Sequence, residues 1–208
     1  MAFVLKKPYR LVRSTGVVAR NVNELLDGLR QVSPASIFYH LYHEFWDLAG
    51  RGEKEQPAND FARWFYYHLR LKALGERLFI PDFPAGDLEE IRLRLWDMIN
   101  SAAPPEEVCA PVGEEFYFLE VETVALPTGT EIAGVQQAEE IVAVADPQVI
   151  FYHLVEASLL GPREDDFCHW LKAQGEEKRA EKLRQAALRA PSPSYLQQQT
   201  VEILRSSS

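Results

Sequence analysis

Cysteine is nearly absent: Cys109 and Cys168 stand far apart in a chain of 208 residues, too few for a disulfide framework or a thiolate metal centre. A reducing cytoplasm is therefore the expected location. The eleven glycines never gather into Gly-x-Gly-x-x-Gly or Gly-Lys-Ser/Thr, which excludes a nucleotide held by a standard phosphate loop. No Gly-x-Ser-x-Gly elbow occurs, and neither cysteine sits in a nucleophile motif. Long apolar runs are missing as well. Lys, Arg, Asp or Glu interrupts each one before the roughly 18 residues needed to cross a bilayer, so no membrane span is expected. Positive charge is scarce, with 22 Lys and Arg against 31 Asp and Glu and a net charge of −9. A nucleic-acid binder needs clustered cations to displace phosphate counterions, so no nucleic-acid partner is expected.

The acidity is uneven. Residues 1–105 hold 14 basic and 13 acidic side chains, whereas residues 106–208 hold 8 and 18. The acidic half is either simply well solvated or selects a basic partner through its field. Lys6, Lys7, Arg10, Arg13 and Arg20 precede the first acid, Glu24, a pattern that superficially suits a transit peptide. Because residues 3–16 have a counterpart deep in the chain, they are assigned to the fold instead.

That counterpart belongs to an internal repeat. Ile37-Phe38-Tyr39-His40-Leu41 recurs as Ile150-Phe151-Tyr152-His153-Leu154. The same displacement carries Phe3 onto Phe116, Thr15-Gly16 onto Thr128-Gly129, Val22 onto Val135 and Pro34 onto Pro147. Downstream, Asp60-Phe61-x-x-Trp64 answers to Asp166-Phe167-x-x-Trp170 at a shorter displacement, which places extra residues of the first copy in the Gly-, Glu- and Lys-rich stretch 49–58. Such a stretch reads as a surface loop. Collinear matches of this kind point to a tandem duplication, with a first half at 1–105 and a second at 106–208 that pack as two parts of one domain or as two domains.

Local chemistry gives each copy the same elements. Residues 116–124 are aromatic and β-branched and predict a strand, with residues 4–12 its weaker twin and a Thr-Gly turn after each. Asn21 with Glu24 three residues on is a capping pair, opening a helix with Val22, Leu25, Leu26, Leu29 and Val32 as one apolar stripe. Val135, Ala138, Val142 and Ala145 keep that stripe in the second copy. Ser33-Pro34 and Asp146-Pro147 pair a capping oxygen with a proline at the first helical position and open the Phe-Tyr-His helices. Asp60 and Asp166 are expected to cap the next helix, and Asp87 with Glu90 a further one from Leu88 to about Asn100. Ser101 to Pro105 then forms the linker. The expected fold is α+β and mostly helical, a strand or hairpin plus three to four helices per half, with the halves related by a pseudo-twofold.

This order of elements resembles an uncharacterised prokaryotic family of unknown function. Ser36-Ile-Phe-Tyr-His40, Asn59-Asp-Phe-x-x-Trp64 and Leu88-x-x-Ile-Arg-x-x-Leu95 carry the resemblance in the first half. The second half departs from it, with Val149 in place of the serine and Asp165 in place of the asparagine. The resemblance implies a fold and brings no activity.

Histidine offers the one constellation with metal chemistry. His40, His43 and Glu44 share a helix face, and His153 and Glu156 take the corresponding places of His40 and His43. If the two helices packed together, His40, His43, His153 and Glu156 would present imidazoles and a carboxylate to one ion, as paired helices do in carboxylate bundles. A helical histidine beside Phe and Tyr more often fills a core edge and hydrogen-bonds a neighbour, for which the Asp of the Asp-Phe-x-x-Trp helix is the expected partner. The aromatics Trp46, Trp64, Phe65, Tyr66 and Tyr67 are first of all core material. Spread around a helix, they also leave a face for a partner. The expectation is a non-enzymatic interaction or regulatory module that binds a protein partner or forms a homodimer through these aromatics, with no cofactor and no catalytic residue. The alternative is a metal-dependent or small-molecule-binding enzyme around the four-residue set.

Overall fold

A computed structural model describes residues 2–45, 59–79, 87–102 and 107–206. The architecture is mixed and helix-dominated, with a two-stranded antiparallel sheet formed by β1 (Phe3–Ala19) and β2 (Phe116–Ile132). Between the strands come α1 (Val22–Gln31), α2 (Pro34–Tyr42) ending in a 3-10 turn at His43–Phe45, α3 (Asp60–Arg63) running on as a π-helical turn at Trp64–His68, α4 (Lys72–Phe79) and α5 (Leu88–Ser101). After β2 follow α6 (Val135–Val144), α7 (Pro147–Phe151) running on as a π-helical turn at Tyr152–Glu156, and α8 (Ala157–Leu159). A 3-10 turn at Arg163–Asp165 leads to α9 (Phe167–Ala173), α10 (Glu177–Arg189) and α11 (Pro193–Arg205). Among the described residues no helix is long and apolar enough to cross a membrane.

Helix starts follow their capping chemistry. Asn21 accepts from Glu24 N–H at 2.9 Å while the Glu24 carboxylate accepts from Arg20 N–H at 2.7 Å, so two amides at the start of α1 are satisfied. Ser33, Asp146 and Asp87 cap α2, α7 and α5 as their sequences require. One cap differs from expectation. Asp166 does cap α9, through Cys168 and His169 N–H, but α3 is capped by Asn59, whose side chain accepts from Ala62 N–H at 2.9 Å. Asp60 is thereby released for another task.

The strands are longer than their apolar cores predict, because the Thr-Gly pairs are not turns. Both strands run through them, with Gly16 at φ +79° and Gly129 at φ +84°, a left-handed conformation that only glycine adopts cheaply. A glycine in that region within a paired strand is the signature of a bulge. The preceding threonine explains how the irregularity is held: Thr15 donates to Phe118 C=O at 2.7 Å, Thr128 donates to Leu5 C=O at 2.9 Å, and each hydroxyl accepts the amide two residues on.

The chain divides into two compact units, residues 1–10 with 123–208 and residues 11–122. This differs from the division expected near residue 105, since each strand gives one part to each unit. In the unit of residues 11–122, α5 packs on α1 and α2 and the β2 segment 116–122 enters the core. Gly28 of α1 permits that approach, because a Cβ there would stand 2.4 Å from the Phe118 ring. In the other unit α11 packs on α6, α7 and α10. Residues 46–58, with Trp46 and the expected surface loop, and 103–106, with most of the expected linker, lie outside the described residues.

Candidate functional site

In the unit of residues 11–122, His40 is buried on α2, with both ring nitrogens engaged. Its Nε2 accepts the main-chain N–H of Leu119 at 2.9 Å, which fixes the proton on Nδ1, and Nδ1 donates to Asp60 Oδ2 at 2.8 Å. The Phe116 ring lies 4.7 Å from His40, 5.1 Å from Phe61 and 5.6 Å from Trp64. Burial lowers the His40 pKa, and the Asp60 hydrogen bond only partly offsets it. At Asp60, burial pulls the pKa upward, but the hydrogen bond from His40 and the neighbouring His43 and Arg63 outweigh it and hold the carboxyl below its usual range.

In the unit of residues 1–10 and 123–208, His153 plays the same part on a π-helical turn. Its Nε2 accepts Lys6 N–H at 2.8 Å and its Nδ1 donates to Asp165 C=O at 2.7 Å. The partner is therefore a main-chain carbonyl and not the Asp166 carboxylate that the sequence suggested. Asp166, occupied as a cap, also receives Arg184 at 3.1 Å. Phe3 lies 4.8 Å from His153, 5.1 Å from Phe167 and 5.6 Å from Trp170. The Asp165 carboxylate takes Tyr152 OH at 2.7 Å and Lys6 Nζ at 2.5 Å. Burial, reinforced by that carboxylate, raises the Tyr152 pKa.

Glu156 is 1% exposed and fully partnered. Arg10 donates to its Oε2 from Nε at 2.9 Å and from Nη2 at 2.6 Å, and the Thr123 hydroxyl donates to Oε1. Both ring nitrogens of His40 and of His153 are committed to hydrogen bonds, so these two members of the expected metal set have no nitrogen lone pair left for an ion, and Glu156 is held by Arg10 and Thr123. His40 and His153 satisfy backbone amides and Glu156 satisfies the Arg10 guanidinium, as buried polar groups must be satisfied. The same occupancy removes His40 and His153 as acid–base catalysts. Cys168 is also inert, since burial pushes its thiol up to about 12.

His43 differs. Its ring stacks on Tyr39 at 4.7 Å, and Nδ1 lies 3.3 Å from Asp60 Oδ2 without the alignment of a hydrogen bond. Glu44 and Asp60 both receive the Arg63 guanidinium. The aromatic set read as a partner surface needs correction. Trp64 and Phe65 are buried, because α3 and its π-helical turn pack against α4 and Phe116. Tyr66 is half-buried under Lys72, and Tyr67 is exposed. Sequence reading missed Lys6, Arg10 and Arg63; the one signal available was that these cations stand within apolar stretches. A cavity of about 10 Å³ lined by Leu5, Val142, Ile150, His153, Leu154, Phe167 and Thr200 holds one water at most and no substrate.

The buried imidazole makes a pH prediction. An unfolded histidine titrates near ~6.5, whereas burial, against the raising pull of the Asp165 carbonyl, holds folded His153 at about 4. Below ~6.5 the unfolded chain takes up a proton that the folded chain refuses, so stability is full above that pH and falls as pH drops toward about 4. A shift of that size contributes on the order of 3 kcal/mol. His40, lowered in the same direction, adds to the trend. Urea midpoints measured between neutral and mildly acidic pH are expected to fall steadily, and less steeply for His153→Gln. A midpoint that holds flat until the carboxylates titrate removes this account.

Comparison with known proteins gives three findings. The model of a family of unknown function, DUF5752, matches residues 1–205. The solved structure of OrfY from Thermoproteus tenax is similar, with a TM-score of 0.84 at 26% identity over 98% of this chain and 94% of that one. No curated protein matches.

Proposed function

The chain belongs to the DUF5752 family of unknown function, and from that premise we propose that it is a non-enzymatic cytoplasmic interaction module, binding a protein partner or a second copy of itself. The observation that carries this reading is a set of large apolar side chains left in solvent on the strands. In the unit of residues 1–10 and 123–208 these are Tyr9, Val124 and Leu126, each more than half exposed at 54, 55 and 52%. In the other unit Leu11 and Tyr117 are likewise exposed. On a strand, alternate residues point to opposite faces, so the exposure of Val124 and Leu126 two positions apart marks one outward row. An exposed apolar row of this kind supports docking of a partner. Among the described members of the helical aromatic set, Tyr67 is the one that adds an exposed ring.

Light scattering and sedimentation of the full chain test this. The expected result is a mass above the monomer that Tyr9→Glu with Val124→Glu returns to the monomer while the melting curve stays unchanged. A monomer at every concentration whose cross-linked partners are unaltered by those substitutions overturns the proposal.

We also infer that one segment was copied and that each copy lends the first part of its strand to the helices of the other. Equivalent residues supply equivalent contacts: Phe3 and Phe116 against histidine, phenylalanine and tryptophan, Lys6 and Leu119 N–H on histidine Nε2, and Thr15 and Thr128 on a strand carbonyl. These matched distances support duplication followed by reciprocal exchange of strands.

A further inference from the structure

Beyond that role, His43, Glu44 and Asp60 form a cluster in which the hydrogen-bond network leaves His43 Nδ1 unpaired. We propose that these three side chains bind a divalent transition-metal ion such as zinc. One donor atom from each lies within 4.8 Å of the others. Ligands about 2.0–2.2 Å from one ion stand roughly 3–3.5 Å apart at tetrahedral angles. The 3.3 Å between His43 Nδ1 and Asp60 Oδ2 already has that size. Glu44, partly exposed, closes the third corner by a rotation of its side chain.

Three further features fit an ion. His43 Nδ1 is buried and makes no hydrogen bond, so in the tautomer protonated on Nε2 its lone pair is available to an ion. The groups around the cluster hold the donors in place: Tyr39 stacks on the His43 ring and His40 donates to Asp60 Oδ2. Outer hydrogen bonds of this kind orient ligands in metal sites. Arg63 sits against both carboxylates, so a cation's position is already occupied by a guanidinium whose side chain, 29% exposed, has solvent to move into. Metal and Arg63 then compete for the same pair of carboxylates. One imidazole and two carboxylates suit zinc and leave a fourth position for water or a ligand group. The corresponding positions of the second copy carry Glu156, already held by Arg10, and Ala157, which has no donor, so the site is confined to the first.

Calorimetric titration of the chelator-treated full chain with zinc chloride tests the site. One equivalent is expected, with His43→Ala and Glu44→Gln each weakening binding by about tenfold or more, and Arg63→Met tightening it. His43 and Glu44 are partly exposed, so these variants keep the fold, which circular dichroism checks; Asp60 is left intact because it holds His40. No stoichiometric uptake by either the wild type or Arg63→Met overturns the proposal. So does uptake that His43→Ala and Glu44→Gln leave unchanged, since that marks other surface groups.

Discussion

Phe116→Ala is expected to destabilise the unit of residues 11–122 by about 3–5 kcal/mol, the range for deleting a large buried aromatic. Phe116 is 5% exposed and meets four rings at once, those of His40, Phe61, Trp64 and Phe118. Its contact with Phe61 is stacked, with 14° between the planes, and its contact with Trp64 is edge-on. Both geometries are favourable for aromatic pairs. Neighbours of that rigidity relax poorly into the gap, so the cavity term adds to the lost transfer energy. Phe116 also sits at the start of β2, three residues before the amide that His40 accepts. Loosening the strand there weakens the hydrogen bond as well as the packing. Guanidinium unfolding followed by tryptophan fluorescence, which reports on Trp64, measures the loss. A change below about 1 kcal/mol, the size of a surface substitution, contradicts the packing described.

Removing Arg10 acts on the other unit through charge. Arg10→Ala leaves the Glu156 carboxylate almost wholly buried with the Thr123 hydroxyl as its remaining donor. Breaking one side of a buried pair costs about 3–5 kcal/mol, most of it the penalty for a stranded charge. Replacing both members by apolar residues of similar volume avoids that penalty, so Arg10→Met with Glu156→Leu is expected to lose far less than Arg10→Ala alone. Denaturant midpoints of the single and double variants test this. A double variant as unstable as Arg10→Ala shows that packing, and not charge, sets the cost.

The legible part of this fold was local. Asn21 with Glu24, Ser33-Pro34, Asp146-Pro147 and Asp87 with Glu90 are start signals that act within one turn of helix, and the helices begin where these residues stand. The pairing of His40 with Asp60 was legible too, because a buried imidazole needs a partner and the next helix offers a carboxylate. The same reasoning gave the wrong atom at His153, where Asp165 presents its carbonyl while Asp166 is spent on a cap. Choosing between two adjacent aspartates depends on the conformation of the Arg163–Asp165 turn, and no periodicity encodes that. Trp64 and Phe65 read equally well as core or as surface, since aromatics all round a helix do not say which sides are covered.

The sequence by itself determined the capped starts of α1, α2, α5, α7 and α9, the aromatic strand starts and the demand of two buried histidines for partners. All of these follow from interactions between residues near one another in the chain. Tertiary structure alone decided that Lys6 N–H answers His153 and Leu119 N–H answers His40, that Arg10 neutralises Glu156, and that Asp60 meets His43 and Glu44. These contacts join residues from 16 positions apart, Glu44 to Asp60, to well over a hundred, and strand register over such distances is fixed by packing.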